Sequence, residues 1–208
     1  MTRDEWLLER KTGIGGSDAS AIVGLNPYKN NIELWEEKTG KRQAEDISEK
    51  PYVKYGTDME PILRESFKIK HPEFIVTHDE NTIIKHQKYP FIFASLDGKL
   101  VNKETGEIGV LEIKTSEILR SMQKEKWEGK VPDNYYIQVI HYMNVIGASF
   151  ARLFAELKYS DDIQINKTYE FEYENVKDDI KWLEEKEIEF WTKYVETNKC
   201  PPLILPRI

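Results

Sequence analysis

The sequence has almost no sulfur chemistry, no long apolar run and no basic excess. Its single cysteine, Cys200, excludes an intrachain disulfide and cannot furnish the four thiolates of an iron–sulfur cluster. That scarcity suits a reducing compartment and points to the cytoplasm. No apolar stretch approaches the roughly 20 residues of a membrane span. The opening MTRDEWLLERK mixes acids and bases and lacks the apolar region of a signal peptide. The net charge of −7 argues against passive wrapping of nucleic acid. The acid is unevenly spread, however. Residues 161–190 hold 11 acids against 4 bases, and the rest of the chain is balanced. The excess is therefore confined to a C-terminal part that can face away from a polyanion. With 208 residues, 39% hydrophobic and 32% charged, the chain is expected to fold as one domain over 1–208 with a substantial core. Internal repeats and low-complexity linkers are absent.

What is there centres on Phe91 to Ser116, FIFASLDGKLVNKETGEIGVLEIKTS. An apolar run from Phe91 ends at Asp97-Gly98 and resumes at Leu100-Val101. Asn102 to Gly106 has turn chemistry, and Val110 to Thr115 is a second β-rich run. Alternation puts Glu112 and Lys114 on one face of that strand and Leu111 and Ile113 on the other. Planting a carboxylate and an amine on an apolar strand costs several kcal/mol unless each is paired or metal-bound. Phosphodiester hydrolysis uses such a group. Asp97 and Glu112 can hold a hard divalent cation through oxygen, and Lys114 can steady an attacking water or the charge developing on phosphorus. Enzymes must lower barriers by roughly 8–23 kcal/mol, whereas one acid or base supplies about 3–5. A metal ion can provide much of the remainder. The same residues also fit a surface hairpin with a solvated Glu/Lys pair.

Around this core, Arg3–Lys11 reads as a short amphipathic helix. The segment Gly13-Ile14-Gly15-Gly16-Ser17-Asp18 then offers free N–H groups and a helix start to an anion, and Ser17 is also a natural N-cap. Asn31–Thr39 reads as a helix stopped by Gly40. A longer helix spans Tyr52–Lys70, and Pro61 suits its first turn, so it is expected to begin near Asp58. Glu60 on it either aims at the metal site or complements the helix dipole. Phe74–Thr77 and Thr82–Lys85 read as strands, and Glu117–Lys130 as a helix whose Lys124, Lys126 and Lys130 either meet phosphate or form a solvated face. A helix over Tyr135–Ile146 puts Gln138 and Tyr142 on one face. Strands follow at Ala151–Leu157 and Tyr169–Tyr173. A terminal helix over Val176–Thr197 has an apolar stripe of Val176, Ile180, Leu183, Trp191 and Tyr194, with its acids opposite.

Taken together, Gly56-x3-Glu60, Asp97, Glu112-Ile113-Lys114 and Gln138-x3-Tyr142 occur in the order of the RecB-type branch of the PD-(D/E)xK nuclease superfamily. With Arg10 and the Gly13–Ala19 opening, the chain resembles the YqaJ-like viral recombinases, the family of phage lambda exonuclease, over Trp6 to Leu157. Leu96 stands where the superfamily name has proline. The resemblance implies an α/β (α+β) restriction-endonuclease-like fold, a central mixed β-sheet flanked by helices. It implies 5′→3′ digestion of one strand of linear double-stranded DNA, leaving a 3′ overhang. Asp97, Glu112, Glu60 and the Ile113 backbone carbonyl would hold Mg²⁺, with Mn²⁺ able to substitute. Lys114 would be the catalytic lysine, Gln138 would orient water or phosphate, and Arg10 and Ser17 would hold the 5′-phosphate of the end. It further implies a ring-shaped homotrimer around DNA ends, a single-strand annealing partner, and a phage or prophage gene expressed in a bacterial cytoplasm. An endonuclease on the same core and a non-catalytic DNA-end-binding protein remain the alternatives.

Overall fold

The computed structural model describes residues 1–159 and 163–205; Asp161 and Asp162 of the acidic stretch lie outside them. The core is a five-stranded sheet in the order β1 (Phe74–Thr77), β4 (Gly98–Asn102), β5 (Ile108–Ile118), β6 (Phe150–Tyr159), β7 (Gln164–Glu172). Among the described strands of this sheet, only the β5–β6 pair is parallel. A parallel pair requires a crossover, which here carries α5 (Ser121–Glu125) and α6 (Asp133–Ile146). A separate ribbon pairs β2 (Ile84–Lys85) with β3 (Phe93–Ala94).

Strand alternation sorts the core into two layers. On one face, Leu111 and Ile113 join Leu100, Phe150 and Phe154 beneath Leu63 and Phe67 of α4 (Pro51–Lys70). On the other, Val110, Leu153, Ala155 and Leu157 meet Ile137, Ile140 and Met143 of α6 and Val176, Ile180 and Leu183 of α7 (Tyr173–Glu189). Glu112 and Lys114 share the parity of Val110, so they face α6, as the alternation requires. A third cluster joins Ile14 to Ile22 of α2 (Gly16–Ile22), to Leu34 and Trp35 of α3 (Asn31–Lys38), and to Phe190. The N-terminal helix α1 spans Arg3–Glu9.

Four expectations need correction. Helix α4 does not begin near Asp58; Pro51 takes its first position and Pro61 lies in its interior. The first half is held by tertiary contact, with Tyr55 donating to Glu156 at 2.6 Å. The segment after Thr115 stays in the sheet, because β5 pairs with β6 as far as Ile118 and buries it, leaving only Ser121–Glu125 helical. The N-cap of α2 is Gly15, not Ser17; Asp18 reaches back to the Gly15 N–H at 3.2 Å. The terminal helix turns into a π-helical stretch at Phe190–Val195, and one of its acids, Glu187, is fully buried.

Candidate active site

The site opens where β4 and β5 part. Their pairing ends at Gly98 opposite Leu111, so β5 runs on with one edge free. The Ile113 N–H on that edge donates to Asp97 Oδ2 at 2.8 Å. The carboxylate thus replaces a missing ladder bond, and this fixes its direction. A strand residue presents its N–H and C=O to the same edge, so the Ile113 carbonyl faces the same opening. Behind Asp97, Arg64 of α4 donates through Nε to the Asp97 carbonyl at 2.7 Å and pairs with Glu60 one turn away.

Glu112 is 1% exposed. The Lys114 ammonium lies 2.5 Å from its Oε1, yet neither carboxylate oxygen has an aligned hydrogen bond. Burial, and then the neighbouring Asp97, push the Glu112 carboxyl up to about 8. Burial and Asp97 likewise push Glu60 up to about 7. Asp97 is also raised by burial, against the pull of Lys114. Burial works against the Lys114 charge, but Glu112 and Asp97 outweigh it and hold that ammonium above its ordinary range. Its Nζ sits 5.1 Å over the Tyr135 ring. On α6, Gln138 donates to the Tyr142 hydroxyl at 3.1 Å. Burial and the carboxylates raise the Tyr142 phenol, so it keeps its proton as a donor.

Far upstream in the sequence, the glycine-rich turn closes the other end of the same cleft, which encloses about 650 Å³. Gly16 is required there by close approach: a Cβ would lie 2.5 Å from the Tyr142 ring. Arg10 Nη2 donates to Ser17 Oγ at 3.0 Å, and its guanidinium stacks 4.5 Å from the Trp6 ring, with Arg3 at 4.8 Å. Lys38 holds this corner, bonding the Arg10 carbonyl at 2.9 Å and Asp18 at 2.7 Å.

The cleft is lined by Asp97, Lys114, Glu60, Gln138, Arg10 and Ser17, and Glu112 sits beneath Lys114. As the side chains stand, Glu60 turns to Arg64 and Glu112 to Lys114. No three His, Cys, Asp or Glu among the described residues have metal-holding geometry. Lys124 and Lys126 lie outside the cleft on an exposed face, and Lys124 reaches only Glu128.

Sequence reasoning missed five participants. Arg64 was legible as the i+4 partner of Glu60. Tyr135 and Trp6 gave no signal beyond being aromatic. His141 and Glu187 form a fully buried pair at 2.6 Å, and Glu187 falls on the spacing 176, 180, 183, 187, inside the apolar stripe.

Residues 5–149 match the model of the YqaJ-like viral recombinase domain. The chain is 36% identical over 205 residues to the uncharacterized protein YqaJ of Bacillus subtilis (strain 168), covering 98% of this chain and 60% of that relative's length. Among solved structures it is similar to an alkaline exonuclease (LHK-Exo) from Laribacter hongkongensis, with TM-score 0.60 and 20% identity over 94% of this chain and 97% of that one. It is also similar to a phage-related exonuclease from Haemophilus somnus 129PT, with TM-score 0.57 and 12% identity over 90% and 96% of the two chains. These likenesses show the fold, a PD-(D/E)xK core. The match over 5–149 shows the family: the chain belongs to the YqaJ-like viral recombinases.

Proposed function

We propose that this protein is a metal-dependent deoxyribonuclease that resects linear double-stranded DNA from its ends, removing one strand 5′→3′ and leaving a 3′ overhang for recombination. The observation that carries the reading is the continuity of one cleft, with Asp97, Lys114 and Glu60 at one end and Arg10 and Ser17 at the other. The first end suits phosphodiester hydrolysis. The second suits a terminal phosphate, because a guanidinium and a hydroxyl are good phosphate donors.

Asp97, Glu112, Glu60 and the Ile113 carbonyl offer only oxygen, which fits Mg²⁺, with Mn²⁺ as a substitute. The fit rests on the buried Glu112 oxygens without an aligned partner and on carboxyls raised by burial and mutual repulsion. When bound, such an ion stabilises charge on the phosphoryl oxygen and lowers the pKa of water. The chain's own groups do the rest. Lys114 keeps a proton and places positive charge beside the scissile phosphate. Gln138 gives its amide N–H to Tyr142, which leaves its carbonyl to accept from a water. The Tyr142 hydroxyl remains a donor to a phosphate oxygen. Burial and Asp97 raise the Glu112 carboxyl of the metal-free site, so loading of the ion, and activity with it, is expected to improve toward alkaline pH. That matches the description of the Laribacter enzyme as an alkaline exonuclease. A ring-shaped homotrimer around the duplex and transfer of the 3′ strand to an annealing protein complete the proposal, and light scattering of the purified protein tests the trimer.

The function is tested on a linear duplex with one 5′-phosphate and one 5′-hydroxyl end, beside a closed circle, with Mg²⁺ or EDTA. Mg²⁺-dependent loss of label from the phosphorylated strand, with the circle intact, is the expected result. Cutting of the circle assigns an endonuclease instead, and no cutting assigns an end-binding protein.

A further inference from the structure

Behind the cleft lies a charged group that the proposed chemistry does not use. His141 and Glu187 are both 0% exposed. His141 Nδ1 lies 2.6 Å from Glu187 Oε1, and Nε2 lies 2.8 Å from the Phe93 carbonyl. A carbonyl can only accept, so Nε2 carries a hydrogen. The Nδ1–Glu187 contact holds a second proton between them, and the unit is neutral as a whole, an imidazolium beside a carboxylate. Burial alone would lower the imidazole; Glu187 and the Phe93 carbonyl outweigh it and raise it. Asp18 faces it from α2 but is bound to Lys38, and Glu184 on α7 faces His86 and Asn144. Glu187 is thus the counter-charge.

The Phe93 carbonyl connects this pair to the cleft. The Phe93 N–H donates to the Ile14 carbonyl at 3.0 Å, and the Ile14 N–H donates to the Phe91 carbonyl at 2.6 Å. The glycine-rich turn is therefore stitched through both backbone groups of Ile14 to Phe91 and to Phe93 at the start of β3. It fits there only because Gly13 has no side chain: a Cβ would stand 2.2 Å from the Phe91 carbonyl oxygen. On its far side the turn touches Gln138 and Tyr142 through Gly16. The His141–Phe93 bond thus adds a directional link to the apolar packing of Ala19, Ile92 and Ala94 against Ile137 and Ile140, and ties the helix carrying Gln138 and Tyr142 to the strand that holds the turn leading to Ser17.

We propose that the His141–Glu187 pair is a positioning device that sets the gap between the glycine-rich turn and α6, and so determines how strongly the site prefers a 5′-phosphorylated DNA end over a 5′-hydroxyl end. His141 acts through Phe93 and touches no substrate. The inference rests on the reading of Arg10 and Ser17 as the phosphate side, and it does not require hydrolysis.

The test compares two double variants that both remove the buried charge. In His141→Gln with Glu187→Gln, the new amide can still donate to the Phe93 carbonyl. In His141→Leu with Glu187→Gln, volume is kept and that donor is lost. Circular dichroism and melting set the folded fraction of each. The readout is the ratio of affinities for a 5′-phosphorylated and a 5′-hydroxyl duplex, measured by fluorescence anisotropy in EDTA. A role confined to stability scales both affinities together and leaves the ratio alone. The wild type is expected to prefer the phosphorylated end by roughly tenfold or more, the gain of one charge-assisted contact. The glutamine pair should keep that ratio, and the leucine pair should lose most of it. Equal ratios in the two variants overturn the inference, as does a wild type with no preference. A wild type that keeps the preference but digests nothing overturns the nuclease reading alone.

Discussion

Two carboxylate–cation pairs meet α6, one from the sheet and one from α7, and they are built differently. In Glu112–Lys114, the ammonium lies 2.5 Å from a carboxylate that makes no aligned hydrogen bond, and Lys114 opens onto a cleft. In His141–Glu187, both ring nitrogens are engaged and neither residue is exposed, although Glu187 Oε2 is also left without a partner. Each pair keeps a buried carboxylate oxygen without a partner, but Lys114 alone lines a cleft, where, in the function proposed above, the first pair would exchange its partner for an incoming ion or phosphate. The second has little reason to move. An isolated buried pair is weak evidence of stability, because desolvation offsets the attraction. What separates the two is the cation: Lys114 reaches the cleft, whereas the His141 ring is closed in by a fixed partner on each nitrogen. The contrast assigns chemistry to one pair and geometry to the other, and it can be attacked from both ends.

The largest effect is expected at the loose pair. Lys114→Ala should lower strand digestion by about 10²–10⁴-fold, the range for removing one positioned proton donor or charge. DNA binding in EDTA should survive, since the Arg10–Ser17 corner is untouched. Digestion at the wild-type rate in this variant would remove the nuclease assignment. Next in size is the closed pair. Glu187→Ala leaves a buried imidazolium without its counter-charge and should cost about 3–5 kcal/mol of stability, read as a lower urea midpoint. A midpoint unchanged from wild type would mean that the pair is not closed in solution.

Much of this contrast was legible in the sequence and part of it was not. The alternation in Val110–Thr115 correctly separated Leu111 and Ile113 from Glu112 and Lys114, because strand parity is local. The order Glu60, Asp97, Glu112, Lys114, Gln138 identified one cleft, since motif order follows topology. The start of α4 was misread because Pro61 is a local signal and the Tyr55–Glu156 contact is not. The end of β5 was misread for the same reason: Ile118 is held in the sheet by Tyr159, across forty residues of chain. Glu187 was placed with the solvated acids although its spacing put it on the buried stripe. An acid there makes sense only once His141, on another helix, is known to face it.

A smaller effect reverses the usual sense of removing a buried ion. Glu112→Gln should raise the melting temperature of the metal-free protein at pH 8.5 and leave it near the wild-type value at pH 5. Asp97 and Glu60 stay to face Lys114, so no charge is stranded, and the penalty of a buried carboxylate is gone. A fall at pH 8.5 would show that Glu112 and Lys114 already form a satisfied pair, and the distinction between the two pairs would collapse.

The finest test is the pH dependence of stability itself. Glu60 and Glu112 titrate near 7 and 8 when folded, against 4.5 for an ordinary glutamate. Between pH 4.5 and 8 the folded protein therefore holds more protons than the unfolded chain, so stability falls as pH rises through that window. His141 has the same sign, because a raised imidazole contributes stability that fades as pH climbs past its folded value. Melting in EDTA should accordingly drop by several degrees from pH 5 to pH 8.5. Millimolar Mg²⁺ should restore part of the loss at pH 8.5, since an ion that binds only the folded, deprotonated site stabilises it by mass action. At pH 5 it should do almost nothing. In Glu112→Gln both the pH slope and the Mg²⁺ response should shrink, while in Glu187→Gln the Mg²⁺ response should persist. An equal Mg²⁺ response at both pH values would place the ion away from the raised carboxylates.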